Sequence, residues 1–330
     1  MRLVMELTDR CNLRCRHCFD QRHAGTGDLP LRVIEGVLRD APACGVSHVS
    51  FTGGEPTLHG DFDVIIRHCV EAGVTFSLVS NGSTFPKNYR RFLAHRSSFH
   101  GVTFSLDGAR EETHDRIRGA GSYRQVLRAA SICNFTGLPF TLNMVLTAEN
   151  CGQVEELVQL AAALGSRGVR FGHLMPGQGV HTDALELPLD ARRAIEERIH
   201  ALQKTASLPV LMAPGHYSAS PFFPCGPLEL EEMNVDCRGN LTLCCQLSGY
   251  WGAERRPDVV ASLHEMSLAE ACAAFRQRVG TYLHDKRARV TRGEFSDSDH
   301  FPCLYCVRYL GEAPQPVTLR KAVTLVQVGR

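Results

Sequence analysis

Residues 3–18 read LVMELTDRCNLRCRHC, an apolar run followed at once by Cys11, Cys15 and Cys18 in a C-x₃-C-x₂-C spacing. The run Leu3–Leu7 has the length and composition of a buried strand, so the three thiols fall on the loop that leaves it. In a parallel α/β architecture, such loops carry the chemistry. A four-iron cluster wants four thiolates; three close together would leave one iron open, and an open coordination position marks a reactive site. Zinc is the alternative occupant, although only Cys15 and Cys18 form the CxxC knuckle it favours.

The rest of the first half supports the parallel reading. Strands are expected at His48–Phe51, Thr75–Ser80, Gly101–Leu106, Thr141–Leu146 and Gly168–His173. They alternate with helical patterns at Leu31–Ala43, Phe62–Ala72, Tyr89–His95, Tyr123–Cys133 and Val154–Leu164. Strand–helix repeated six times is a doubly wound sheet or a partial barrel. A further helix is expected at Ala191–Lys204, then a proline-rich stretch, then a cysteine-bearing segment without the repeat. The expected organisation is 1–180, 181–224 as a connection, and 225–330 as a smaller cysteine-rich α+β unit.

The 330 residues are 44% hydrophobic and 22% charged, with a formal net charge of +1. That composition suits a chain with a full core and gives no sign of a nucleic-acid stripe or a polybasic membrane patch. No apolar run spans a bilayer and no signal peptide precedes the first strand, so a cytoplasmic protein without nucleic-acid or membrane partners is expected. In that setting fourteen cysteines point to metal or redox chemistry rather than disulfides.

Further motifs follow in order. SFTGGEPTLHG places Gly53, Gly54, Glu55 and Pro56 after the second strand, SNGS places Ser80 and Asn81 after the third, and SLDG with HDRIRG places Ser105, Asp107, His114, Asp115 and Arg118 around the fourth. Together with the cysteine triad they resemble the radical S-adenosylmethionine (SAM) superfamily over roughly residues 1–180. The resemblance implies a partial (β/α)₆ barrel whose Cys11, Cys15 and Cys18 hold a [4Fe-4S] cluster with its fourth site taken by SAM. It further implies that Gly53, Gly54, Glu55, Pro56, Ser80, Asn81, Ser105, Asp107 and Arg118 surround SAM. His17 stands where the family usually has an aromatic ring.

CGPLELEEMNVDCRGNLTLCC at 225–245 and FPCLYC at 301–306 resemble the auxiliary-cluster module called SPASM, or its shortened form, twitch. That resemblance implies a second [4Fe-4S] cluster on Cys225, Cys244, Cys303 and Cys306, with Gly239 turning a hairpin; zinc is again the alternative. Cys44, Cys69, Cys133 and Cys272 read as core residues. Cys245 is expected to point away from Cys244, as strand neighbours do, and to return a hydrogen atom to substrate, with hairpin packing or a ligand swap with Cys244 as the alternatives. The layout is similar to radical SAM epimerases acting on an aminoglycoside or on peptides. The first expectation is therefore epimerisation of an aminoglycoside-like natural product, in antibiotic biosynthesis. The second is alcohol oxidation through the auxiliary cluster, with His173, His216 or Asp236 as base; the third is a peptide epimerase or other peptide maturase. A small polar substrate is favoured because no room for a leader-binding domain precedes the first strand. A reductant such as flavodoxin or ferredoxin is implied.

Overall fold

The computed structural model describes residues 1–18, 25, 27–175, 183–223, 225–252 and 254–312. Six βα units follow one another: β1 (Arg2–Thr8), α1 (Leu31–Asp40), β2 (His48–Gly53), α2 (Phe62–Glu71), β3 (Thr75–Ser80), α3 (Phe85–Ala94), β4 (Phe99–Ser105), α4 (Glu111–Arg118) with α5 (Ser122–Thr136), β5 (Phe140–Leu146), α6 (Val154–Ala163), β6 (Val169–His173) and α7 (Leu189–Thr205). A short β7 (Val210–Met212) closes this series, pairing parallel to β6. All six expected strands are present, each in parallel register with its sequence neighbour.

The strands alternate in character although parallel strands covered on both faces would be apolar throughout. Leu3, Met5, Leu7, Val49, Phe51, Phe76, Leu78, Phe104, Leu142, Met144 and Phe171 are buried in one core with the helices. Aromatic contacts tighten that layer, among them Phe92 on Phe99 with centroids 4.7 Å apart. Positions between them are polar: the Thr103 and Thr141 hydroxyls are 2.9 Å apart, and His48 bonds Thr75 and Ser77. The sheet thus has one face under helices and one that lines a concave interior, as a partial barrel requires.

The C-terminal segment joins the same sheet. β8 (Glu232–Val235) runs parallel to β1 on its free side, and β9 (Asn240–Thr242) and β10 (Val259–Ser262) follow antiparallel. The order is β10-β9-β8-β1-β2-β3-β4-β5-β6-β7. The β8–β9 hairpin turns where expected, with Gly239 at φ +79°. Asp236 organises it by accepting from the Arg238 and Asn240 amides at 3.0 and 2.8 Å, and Arg256 neutralises its carboxylate at 2.7 Å. Two helices follow among the described residues: α8 (Leu268–Thr291), begun by a Ser267–Glu270 capping box, and α9 (Pro302–Glu312).

Among the described residues, no helix is long and apolar enough to cross a membrane.

Candidate active site at the carboxyl ends of the strands

The cysteine loop leaves β1 and is docked against the end of β2. Gly54 N donates to Thr8 O at 2.7 Å and Glu55 N to Arg10 O at 2.8 Å. The glycines are required by this contact. A Cβ on Gly53, whose φ is +127°, would lie 2.3 Å from Thr8 O, and one on Gly54 would lie 2.2 Å from Arg10 O. The close backbone approach at GGEP is therefore made to the cysteine loop itself. Asp28 secures the loop from its other side, accepting from Thr8 Oγ1 at 2.7 Å and from Arg10 Nε at 2.9 Å.

Glu55 is fully buried and its carboxylate joins three elements. It accepts from Ser80 Oγ at 2.9 Å, Asn81 N at 2.9 Å and Thr57 Oγ1 at 2.7 Å. Burial raises its pKa against these bonds. Pro56 begins the short turn that follows. Asn81 then reaches the cysteine loop, with Nδ2 3.0 Å from Asn12 Oδ1 and 3.6 Å from Cys11 Sγ.

A second buried knot holds the other end of the loop. Asp107, at the end of β4, accepts from Arg118 Nε, lies 2.6 Å from His17 Nε2, and accepts from Val145 N at 2.8 Å. Desolvation would raise its pKa, yet Arg118 and His17 hold it well below the carboxylate range. Arg118 extends Nη1 to 3.9 Å from Cys15 Sγ. Ser105 is buried opposite Asn143 in the β4–β5 register. Asp115 ties the end of α4 to the start of α5 through the Gly121 and Tyr123 amides.

The three thiols are not in disulfides. Nitrogen donors face their sulfurs: Leu13 N at 3.5 Å and Asn81 Nδ2 on Cys11, and Arg118 on Cys15. Donors directed at sulfur favour the thiolate that iron binds, so the donor set fits the cluster that the sequence implies. Burial alone would push the Cys15 thiol up, and Arg118 opposes that.

The C-terminal cysteines gather at a second place. Cys303 is influenced by Cys306, Cys225 and Cys245, while Cys244 is influenced by Cys245 and Cys303. Burial raises Cys225, to about 12, and Cys303 and Cys306, while Cys244 is raised first by its hydrogen bond with Cys245 and then by burial. Gly215, at φ +105°, lies so close that a Cβ there would be 2.6 Å from Cys303 Sγ. The Tyr282 hydroxyl is 2.9 Å from Cys306 Sγ, and the buried Lys286 lies within electrostatic reach of Cys306 and Cys225. Thiols within electrostatic reach of one another, with a buried cation near them and a hydroxyl on one sulfur, suit an anionic metal centre. Among the described residues, no three His, Cys, Asp or Glu side chains are drawn into the tight spacing that a single metal ion imposes.

The expectation for Cys245 needs correction. It does not face away from Cys244: the strand ends at Thr242, both cysteines lie beyond it, and their thiols share a hydrogen bond. Strand alternation has no hold past the strand's end. Of the bases considered, His173 is 2.6 Å from Glu196, His216 Nδ1 is 3.1 Å from Ala213 O, and Asp236 is consumed by the hairpin. Cys44, Cys69, Cys133 and Cys272 lie in the core. Tyr282 and Lys286 are the partners not singled out from sequence, and they carry no local signal. His17 was noted beside Cys18, but its bond to Asp107 was not foreseen.

The family model described as the radical SAM superfamily matches residues 5–161. PqqA peptide cyclase of Methylocella silvestris is 28% identical over 73% of this chain and 67% of its own length. Mycofactocin maturase MftC of Mycobacterium tuberculosis is 31% identical over 54% of this chain and 46% of its own. The chain thus spans about two thirds or less of these relatives. Among solved structures, Streptococcus suis SuiB bound to S-adenosylmethionine superposes with a TM-score of 0.63 at 22% identity, covering 74% of this chain and 60% of that one. SuiB has also been solved bound to its precursor peptide SuiA.

Proposed function

This chain contains a radical SAM domain, spanning residues 5–161, and we propose that it uses that domain to modify a peptide by hydrogen-atom abstraction. The observation that carries the reading is the cysteine loop itself, docked by Gly53 and Gly54 and surrounded by nitrogen donors, at the carboxyl end of a parallel barrel. Cys11, Cys15 and Cys18 would hold three irons of a [4Fe-4S] cluster, leaving the fourth for SAM. When bound, cluster and SAM supply, on input of one electron from a flavodoxin- or ferredoxin-like reductant, a 5′-deoxyadenosyl radical that takes a hydrogen atom from substrate.

The chain's own residues do the positioning. Asn81 and Arg118 direct donors at the thiolates, Glu55 locks the ends of β2 and β3 together, and Asp107 joins His17 to Arg118. Gly53, Gly54, Pro56, Ser80 and Ser105 complete the wall against which SAM would lie. Cys225, Cys244, Cys303 and Cys306 would hold an auxiliary cluster in the segment from residue 225, beyond the 181–224 connection.

Peptide chemistry is favoured over an aminoglycoside because one relative is a PqqA peptide cyclase and SuiB has been solved bound to a precursor peptide. The aminoglycoside epimerase expected from sequence draws no support from these relatives. Cys245 as hydrogen donor remains part of the proposal in its peptide form, an α-carbon inversion.

The test is anaerobic turnover with SAM, dithionite and a panel of precursor peptides and aminoglycosides in deuterium oxide, read by mass spectrometry. Loss of two hydrogens from a peptide supports cyclisation or oxidation. Gain of one deuterium, abolished by Cys245→Ala while 5′-deoxyadenosine still forms, supports inversion. Conversion of aminoglycosides with every peptide untouched would overturn the peptide reading.

A further inference from the structure

Lys286 is 2% exposed, on the face of α8 that turns toward the C-terminal cysteines. Among the described residues its ammonium makes no ion pair with an acid. Its Nζ stands over the Tyr305 ring, 4.6 Å from the centroid. Cys306 and Cys225, and after them Asp299, are the acidic groups whose ionised forms would act on it. One helical turn earlier on α8, Tyr282 holds its hydroxyl 2.9 Å from Cys306 Sγ.

A buried cation without a counter-charge is costly, and an aromatic face offsets only part of that cost. Four thiolates on a metal centre would supply the missing charge. The lysine is thus intelligible as the partner of an anionic centre. When Cys306 is a thiolate it can only accept, so Tyr282 becomes the donor.

We propose that Lys286 and Tyr282 are positioning residues that raise the reduction potential of the auxiliary iron–sulfur centre. The inference rests on the auxiliary centre of the preceding section. Reduction adds negative charge to the centre. A fixed positive charge nearby in a poorly screened interior favours that state, and so does a hydrogen bond to a ligating sulfur.

The experiment uses the full chain carrying Cys11/Cys15/Cys18→Ala, so that only the second cysteine set can hold iron. After anaerobic reconstitution with iron and sulfide, the midpoint is read by EPR-monitored redox titration. Lys286→Met is expected to lower the reduced-to-oxidised ratio at fixed potential at least tenfold, a 59 mV fall for one electron. Tyr282→Phe should move it the same way, and Lys286→Arg should restore the parent value. Should Lys286→Met fail to take up iron, Tyr282→Phe decides the matter. Loaded variants with unchanged midpoints overturn the inference alone. A triple variant that binds no iron removes the auxiliary centre and the inference with it.

Discussion

Asp107 Oδ2 and His17 Nε2 meet at 2.6 Å across 90 residues of chain, fastening the end of β4 to the middle of the cysteine loop. The same oxygen accepts from Arg118. One carboxylate therefore sets both the loop and the guanidinium beside Cys15. Asp107→Asn keeps the shape but leaves Arg118 buried without its counter-charge. Breaking a buried pair costs about 3–5 kcal/mol, to be read as a lower urea midpoint of the anaerobic apoprotein, with less iron held by the triad. An unchanged midpoint and full iron would show that the knot is dispensable.

Gly54→Ala tests the docking of the loop. The added Cβ would sit 2.2 Å from Arg10 O, a backbone atom that cannot swing aside. Overpacking of this kind costs about 1–3 kcal/mol. Because the strain falls on the loop, iron loading at Cys11, Cys15 and Cys18 should drop sharply while the helical circular dichroism is kept. Normal iron in this variant would refute the role given to the glycine.

The stability of the apoprotein should depend on pH through His114. Burial, with Arg118 nearby, lowers its pKa to about 4, and its Nδ1 accepts from Asp107 N at 3.0 Å. The unfolded histidine titrates near 6.5, so between those values the unfolded chain binds the extra proton. Stability is therefore full above about pH 6.5 and falls as pH drops toward 4, by up to about 3 kcal/mol. Denaturant titrations across that window should show the slope, and His114→Gln should flatten it. An equally steep slope in the variant would assign the effect to other groups.

Ser267→Ala removes the cap of α8, whose side chain accepts from Glu270 N. The loss should be about 1 kcal/mol, seen as a lower thermal midpoint. Because the cap lies about five turns from Lys286, the iron content of the second cysteine set should be unaffected. Loss of that iron would mean that the start of α8 helps to build the site.

The sequence by itself determined the six parallel strands, the hairpin at Gly239 and the placement of the cysteine triad after β1. Each is written locally: alternating runs of apolar residues make strands, and a glycine with positive φ turns a hairpin. Even α8, which apolar periodicity did not reveal, carries a local signature in its Ser267–Glu270 box. What sits opposite what was decided by the tertiary structure. That β8 pairs with β1, bringing the C-terminal strands onto the barrel's own sheet, depends on register across some 230 residues. The same holds for Glu55 with Ser80 and Asn81, for Asp107 with His17, and for Lys286 with Cys225 and Cys306. The side-by-side thiols of Cys244 and Cys245 follow from where β9 stops, and that is set by packing. Local propensity acts over a few residues, whereas a buried charge finds its partner only once the chain has closed around both.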